Sequence, residues 1–476
     1  MNDDLRDYLE KAEGLGKLKL VTGADWDLEI GTISALNLKN KDCPALLFDN
    51  IKDYPKGFRV VTCTGSTPSL VSLILNLPVT DSDLGLLNTL REKLPLWEND
   101  LDKFDPEIVS TGPILENTLS GDEVDLFKFP VPKYHSLDGG RYIGTGHAVI
   151  TKDPDTGDSN LGTYRVQAFD SKSAGWFMMP NQHGDIHRVK YHEKGKPCPV
   201  AISVGHHPLI FRLGSVELPA GKEYHYAGAI RGEPVKVIME EVTGLPIPAD
   251  AEIVAVGWCH PDKRHEEGPF GEWTGYYGRK TETPLIEIER VYFRNDPILL
   301  GASPGKPPMC DGIYFRSLFR SAKLQDELMK SGIPDVKGVW LTKETNGPYL
   351  IVVSIKQRFA GHAKQAALLT SQLRTSGRQG RFVVVVDDDI DPTDIADVLW
   401  AMGTRADPEE DIDIIRGAPS TQLDPRVPRD AKALVNSRAI IDACRPFEWK
   451  EDFPISVDLE DEIVEKVRAK WKDLDI

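Results

Sequence analysis

Residues 140–300 are written in short apolar runs of β character, and no other feature restricts the fold as much. The runs fall at 147–152, 161–169, 200–204, 235–240, 252–258 and 285–293, punctuated by Gly and Pro. Such spacing predicts a sheet or barrel domain with long working loops. Nine of the eleven histidines lie between His147 and His265, so this β region is where chemistry is sought. Both flanks read differently. On the N-terminal side, 5–12 predicts a short helix, 45–50 and 58–62 strands, and 67–77 a helix capped by Ser66 or Thr67. Residues 100–134 are rich in Pro, Asp and Gly and predict a linker. On the C-terminal side, 349–355 and 382–386 predict buried strands and 392–405 a helix with Pro392 in its first turn. The tail, 458–474, is a charged amphipathic helix suited to docking on a partner subunit. A chain of 476 residues is too long for one ordinary domain, and the class expected is α+β multidomain.

Composition narrows the partners. Apolar residues at 40% leave ample core, while the net charge of −17 repels phosphate backbones and anionic lipid. Neither nucleic acid nor a membrane is an expected partner, although a local basic pocket for a small anion is compatible with that charge. Six scattered cysteines without a C-x-x-C pair form neither a disulfide framework nor a zinc site. The acidic N-terminus lacks a signal-peptide core and no apolar stretch spans a bilayer, so a cytoplasmic location is expected.

Common nucleotide, hydrolase and protease motifs are missing. The Asp387–Asp391 run could bind a divalent metal at a strand end, but capping of the following helix is the simpler reading. Gln182-His183 with His187, and Gly205-His206-His207-Pro208, are weak as metal pairs taken alone. The strongest segment is Glu266-Glu267-Gly268-Pro269-Phe270-Gly271-Glu272. Gly and Pro disfavour a helix there, so Glu267 and Glu272 can reach one cavity wall. Two acids in one environment separate in pKa, which suits one of them to donate a proton at neutral pH. An exposed acidic turn fits the spacing equally well.

The order of motifs adds what spacing leaves open. Asn160-x-x-x-x-Arg165, Gln182-His183, Glu223-x-x-x-Ala227-Gly228, Glu267-Gly-Pro-Phe-Gly-Glu272, Gly301-x-x-Pro304-Gly305, Lys356-Gln357-x-x-Ala360-Gly361-His362-Ala363-Lys364 and Val386-Asp-Asp-Asp-Ile-Asp391 follow one another. This resembles the UbiD family of reversible decarboxylases, from about residue 10 to about 450. The resemblance implies an N-terminal α/β domain over 1–110, a central split β-barrel flavin-binding domain over 111–300, a C-terminal α/β oligomerisation domain over 301–450 and a helical tail over 451–476. It implies prenylated FMN, Mn²⁺ and K⁺ as cofactors, a flavin prenyltransferase as the supplier of the flavin, and a homodimer or higher homo-oligomer. Asn160, His183 and Glu223 are its expected metal ligands, with His225 in reserve should the alignment shift by two residues. Thr163, Tyr164, Arg165, Phe177, Met178, Met179, Gln182, His183 and Ser215 are its expected flavin contacts. Glu272 matches the proton donor, Arg165 grips a carboxylate and tunes both glutamates, and Glu267 completes the network. Val383 and Val385 are expected at the substrate pocket.

The chemistry implied is loss of CO₂ from an aromatic, heteroaromatic or α,β-unsaturated acid. The carbanion left on an sp² carbon needs an organic electron sink, which no side chain supplies. Strand parity sets Asn160 and Arg165 on opposite faces of a continuous strand, and a bulge at Gly162 would relieve this. Two other readings stand beside this one: a metal-dependent hydrolase built on His183, His206 and His207, and a non-catalytic scaffold.

Overall fold

The structure, a computed structural model, describes residues 4–471 except 429, 458 and 460. The first helix, Leu5–Gly14, starts at a capping box: Asp4 accepts from the Arg6 and Asp7 N–H groups while the Asp7 side chain accepts from the Asp4 N–H. Its buried face, Leu5, Tyr8, Leu9 and Ala12, follows the helical period. The N-terminal sheet runs Leu18–Thr22, Ala45–Asp49, Arg59–Thr62, Ile298–Leu300, so its last strand returns from beyond the central region. Thr67 caps the helix Pro68–Ile74 through its hydroxyl and Pro68 occupies the first turn, which decides between Ser66 and Thr67. No element was expected over Asp83–Asp100, yet this stretch is a helix capped by Ser82. Pro95 obscures it in the sequence, while Leu86, Leu87, Leu90, Leu94 and Trp97 form the buried stripe that holds it.

The expected linker over 100–134 is instead tied into neighbouring sheets. Glu107–Ile108 pairs with Lys236–Met239, and Asn117–Ser120 pairs with Thr281–Phe293. Composition registers the turns here but not the edge pairing.

The central sheet is an open antiparallel path, a split barrel. Its order is Arg141–Gly144, Val166–Ala168, Ser173–Trp176, Thr281–Phe293, Ile253–Glu267, Cys198–Val204, His147–Lys152, Ser159–Gly162. The run at 161–169, expected as one strand, is two strands, Ser159–Gly162 at one end of that path and Val166–Ala168 next to the other end. The chain breaks at 163–165, which removes the parity objection to Asn160 and Arg165 serving one region. Gly162 permits the fold-back: a Cβ there would meet the Tyr164 ring at 2.3 Å. The run at 252–258 lengthens to Ile253–Glu267, irregular after Val256 and Cys259, and delivers Glu267 at its end.

The C-terminal sheet runs Val336–Leu341, Leu350–Ile355, Phe382–Asp387, Val435–Ala443, Ile412–Pro419, with parallel pairs in the centre and antiparallel edges. Its central strand is a continuous apolar run because both faces are covered. Val383 and Val385 belong to that interior, 2% and 0% exposed and packed among Ile351, Val353, Ala363 and Ala366. They therefore do not line the cavity at the glutamate turn, and the expectation that they would line a substrate pocket is corrected: parity on a doubly covered strand sends them into the domain core. The helix expected from Pro392 begins later, as Ile395–Arg405 capped by Asp394, because Thr393 first closes a turn onto Asp391. Asp387 and Asp389 do not cap this helix. They pair with Arg405 near its far end, Asp387 at 3.2 Å and Asp389 at 2.8 Å. In the tail, Asp461–Lys470 is helical, while 458, 460 and 472–474 of the expected helix lie outside the described residues.

Helix Ile313–Lys330 ties the regions together. It packs on Val336–Leu341 and on Asp83–Asp100, and Tyr314 donates to Asp83 at 2.6 Å. One buried cluster accordingly runs from Leu5 through Leu90, Ile150 and Ala227 to Phe315 and Trp340. All six cysteines are buried free thiols. Among the described residues no helix is long and apolar enough to cross a membrane.

Candidate active site

The break after Gly162 points Arg165 across to the end of Ile253–Glu267. Its Nε and Nη2 donate to the two oxygens of Glu267 at 2.8 and 2.7 Å, a bidentate pair. Nη1 donates to Glu272 Oε1. Phe177 stacks against the guanidinium, 4.0 Å from Cζ to the ring centroid. Glu267 is fully buried and also accepts from the Tyr142 hydroxyl at 2.9 Å. Tyr142 and the Gly268 N–H both reach Gln167 Oε1, so a second layer of hydrogen bonds fixes the carboxylate.

The turn between the glutamates is held by backbone geometry. Gly268 sits at φ +89, and a Cβ there would meet the Arg279 carbonyl at 2.8 Å. Gly271 N donates to Asp138 at 2.9 Å, and Gly139 N donates to the Pro269 carbonyl at 2.8 Å. The Asn346 amide donates to the Trp273 carbonyl and, at 3.1 Å, to that of Gly305. The turn is thus tied to both the central and C-terminal parts of the chain.

The two carboxylates do not share one cavity wall as expected. Glu272 lines a cavity of about 140 Å³, whereas Glu267 lies behind Arg165 and acts on the cavity through it. Burial pushes the Glu272 carboxyl upward, Arg165 opposes this, and the charge of Glu267 adds to the rise. Of the expected flavin contacts, Thr163, Arg165 and Ser215 line the cavity. Phe177 flanks it under Arg165, and Met178 and Met179 follow from strand Ser173–Trp176. Sequence reasoning missed Arg316, Trp273, Asp311, His147 and Phe211 on the same wall. Arg316 and Asp311 sit at the start of helix Ile313–Lys330, a region given no element from the sequence. Trp273 alone had a signal, being the next residue after the glutamate turn.

The second group gathers around Tyr164. Asn160 donates to the Tyr164 hydroxyl at 3.3 Å, and the Gly184 N–H donates to it at 3.0 Å, so Asn160 and the helix opened by His183 meet there. Gln182 precedes that helix, its side chain accepting from the Met179 N–H at 2.8 Å. Glu223 opens helix Glu223–Arg231, 5% exposed, and the Leu161 backbone stabilises its charge. Burial pushes it up to about 7, and its Oε2 is enclosed without a hydrogen-bond partner. A buried carboxylate oxygen with nothing to bind is what a cation ligand looks like before the cation arrives. Asn, His and Glu together offer the oxygen and imidazole donors that suit Mn²⁺. His225 turns instead to Asp105, at 2.8 Å, so the reserve position is already occupied.

The remaining histidines are absorbed elsewhere. His207 caps a helix through Nδ1, His187 bonds Thr151 at 2.9 Å, and His206 is wholly buried. Among the described residues no group of three or more His, Cys, Asp or Glu side chains is arranged to hold a metal. The histidines of the hydrolase alternative therefore do not meet.

Three family profiles match the chain. They are the N-terminal domain of 3-octaprenyl-4-hydroxybenzoate carboxy-lyase over residues 9–88, its Rift-related domain over 107–307 and its C-terminal domain over 313–443. A phenolic acid decarboxylase of Streptomyces sp. (strain D7) is 31% identical over 458 residues, 93% of this chain and 92% of that protein. A pyrrole-2-carboxylic acid decarboxylase of Pseudomonas aeruginosa is 32% identical over 424 residues, 86% and 84% respectively. Among solved structures, the UbiD-class enzyme HmfF from Pelotomaculum thermopropionicum in complex with FMN superposes with a TM-score of 0.86 at 27% identity, covering 98% of this chain and 100% of that one. An evolved dimeric form of the same enzyme, in complex with prFMN, gives 0.84 at 26% identity over 99% of this chain and 100% of that one.

Proposed function

The chain belongs to the UbiD family of carboxy-lyases, and from that premise we propose that it is a reversible, non-oxidative decarboxylase of an aromatic, heteroaromatic or α,β-unsaturated carboxylic acid, working with prenylated FMN, Mn²⁺ and K⁺. The observation that carries the reading is the Glu267–Arg165–Glu272 chain, in which only Glu272 lines the cavity alongside Arg165.

Asn160, His183 and Glu223 would hold the metal, and Thr163, Tyr164, Arg165, Phe177, Met178, Met179, Gln182, His183 and Ser215 would surround the flavin. Bound there, prenylated FMN supplies the electron sink that an sp² carbanion requires. The chain's own residues do the rest. Glu272, held towards its neutral form by burial, keeps a proton at its carboxyl for the carbon that loses CO₂. Arg165 opposes that rise and so eases release of the proton, and Glu267 fixes Arg165 from behind. Phe177 and Phe270 cover the guanidinium and limit water. The reverse reaction uses the same groups, Glu272 then accepting a proton as CO₂ adds. A homo-oligomer is part of this reading, because the apolar run Ile455, Val457 and Leu459 is 85–103% exposed.

The test is co-expression with a flavin prenyltransferase, followed by mass spectrometry of the released cofactor and a screen of aromatic acids. Activity should rise steeply with prenylated cofactor. Full turnover with plain FMN, or with no flavin, would refute the proposal.

A further inference from the structure

The turn that carries Glu272 rests on a second turn with a carboxylate at its centre. Residues 135–138 close on themselves: the Asp138 N–H donates to the His135 carbonyl at 3.0 Å, and Asp138 Oδ2 accepts from the His135 N–H at 2.9 Å. Asp138 Oδ1 is left for the neighbouring turn and accepts from the Gly271 N–H at 2.9 Å, across 133 residues of chain. The Asp138 side chain is completely buried, and the His135 ring lies beside it with Nδ1 3.4 Å from Oδ2. One oxygen therefore closes the supporting turn and the other grips the glutamate turn. A carboxylate can accept at both oxygens at once, which an amide cannot do.

The two turns fit too closely for either to move alone. The Gly139 N–H donates to the Pro269 carbonyl at 2.8 Å. A Cβ on Gly139 would meet the Gly268 carbonyl oxygen at 2.0 Å, and a Cβ on Gly271 would meet His135 Nδ1 at 2.7 Å. Beyond Gly271 the chain doubles back. Gly271 bridges to Tyr277, the Glu272 N–H donates to the Tyr276 carbonyl at 2.9 Å, and the Gly278 N–H donates to the Phe270 carbonyl at 2.8 Å. Tyr277 closes the far side, its ring edge-on to His135 at 6.2 Å and its hydroxyl accepting from the Leu137 N–H at 3.4 Å. Glu272 follows Gly271 directly, so the nitrogen that Asp138 holds is one residue from the acid that lines the cavity.

We infer that Asp138 is a positioning residue for proton transfer: through the Gly271 N–H it fixes the backbone from which Glu272 projects, and so keeps the acid against Arg165 and at the cavity wall. This rests on reading Glu272 as the proton donor. Asp138 does not line the cavity and acts at one remove. Arg165 holds the carboxyl end of Glu272 and Asp138 the backbone end, so the side chain keeps one placement. A donor displaced by about 1 Å forfeits on the order of a hundredfold in rate, which is the size of effect this mount controls.

The test compares wild-type holoenzyme with Asp138→Ala, Asp138→Asn and Gly139→Ala, and with Arg6→Ala as a control whose lost contact, to buried Glu252, lies away from the cavity. In Asp138→Ala kcat should fall roughly a hundredfold while KM stays within about twofold. Asp138→Asn keeps the shape and one acceptor oxygen, and should recover about tenfold of that loss. Gly139→Ala pushes on the Gly268 carbonyl from the same support and should also lose kcat with KM kept. Arg6→Ala should keep both. Hydrogen–deuterium exchange reads the placement without turnover: the amides of 268–278 should exchange faster in the Asp138 and Gly139 variants and stay protected in Arg6→Ala. Unchanged exchange over 268–278, an unchanged kcat in Asp138→Ala, or a loss carried by KM would overturn the assignment. So would an equal kcat loss in Arg6→Ala, which would mark a general effect of stability. Should Asp138→Ala fail to fold, Asp138→Asn carries both readouts. A wild type that decarboxylates no acid defeats the reading of Glu272, and the exchange comparison then decides whether Asp138 holds the turn.

Discussion

Glu272 and Glu223 are both buried carboxylates pushed upward by burial, and their surroundings give them different tasks. Glu272 faces the cavity and touches a cation, which is the placement the proposed proton transfer requires. Glutamine keeps its shape but cannot deliver the proton. Glu272→Gln should retain flavin and metal yet lose turnover by roughly a hundredfold or more, together with solvent deuterium incorporation into the product. Normal incorporation in a folded, flavin-loaded variant would move the acid role to Glu267. Among the described residues no ion pair joins Glu223 to a cation. With its folded pKa raised to about 7, the folded metal-free protein binds this proton more tightly than the unfolded chain. The stability it contributes is present in acid and lost as pH rises from the ordinary carboxylate range through about 7. The melting temperature of metal-free protein should therefore fall across that window, and Glu223→Gln should flatten the fall. Glu223→Ala should lower bound Mn²⁺ and flavin while His225→Ala leaves both, since His225 is turned to Asp105. Metal retained in the first variant and lost in the second would reverse the assignment.

At the scale of elements, the site depends on where strands stop. Ser159–Gly162 ends to release Arg165, and Ile253–Glu267 ends to present Glu267. The turn that follows tolerates little. Gly268→Ala would place a Cβ against the Arg279 carbonyl at a positive φ, whereas Gly232→Ala, at φ +81 after helix Glu223–Arg231, meets nothing within 4 Å. Both substitutions should cost about 1 kcal/mol of stability for the left-handed backbone. Only Gly268→Ala should also lose most of its kcat, by displacing Glu267 or Glu272. Equal kcat in the two variants would show that the turn does not position the glutamates.

At the scale of the whole molecule, the N-terminal helix and the central sheet are bound by charge as well as by core. Glu252 is completely buried, paired with Arg6 at 2.7 Å and Arg294 at 3.3 Å. Removing both arginines leaves an uncompensated buried carboxylate. The double variant Arg6→Ala/Arg294→Ala should lose about 3 kcal/mol in denaturant unfolding, with KM unchanged because Glu252 does not line the cavity. A KM change without a stability change would show that the cluster serves the site rather than the fold. Continuity of the buried cluster from Leu5 to Trp340 further predicts that the N-terminal and central regions unfold in one transition.

Local chemistry explains which parts were legible beforehand. The order of motifs, through the family resemblance it carries, singled out the glutamate turn, Arg165, Asn160, His183 and Glu223, whereas spacing alone left that turn open to a plain acidic loop. The strands at 147–152 and 382–386 were legible because burial imposes a continuous apolar run. Three things had no local signal. The 161–169 run looks like one strand, and its division follows from two distant pairing partners. Val383 and Val385 were misplaced because apolar residues on a covered strand and in a pocket look alike in sequence, and only the packing of Ile351 and Ala363 around them decides. Arg316 was invisible because an arginine in a helix is unremarkable until the fold sets it on the cavity wall. The sequence by itself determined the order of the motifs and, through it, the family. The tertiary structure alone decided which of the candidate residues face the cavity, because solvation and pairing depend on neighbours that chain order does not encode.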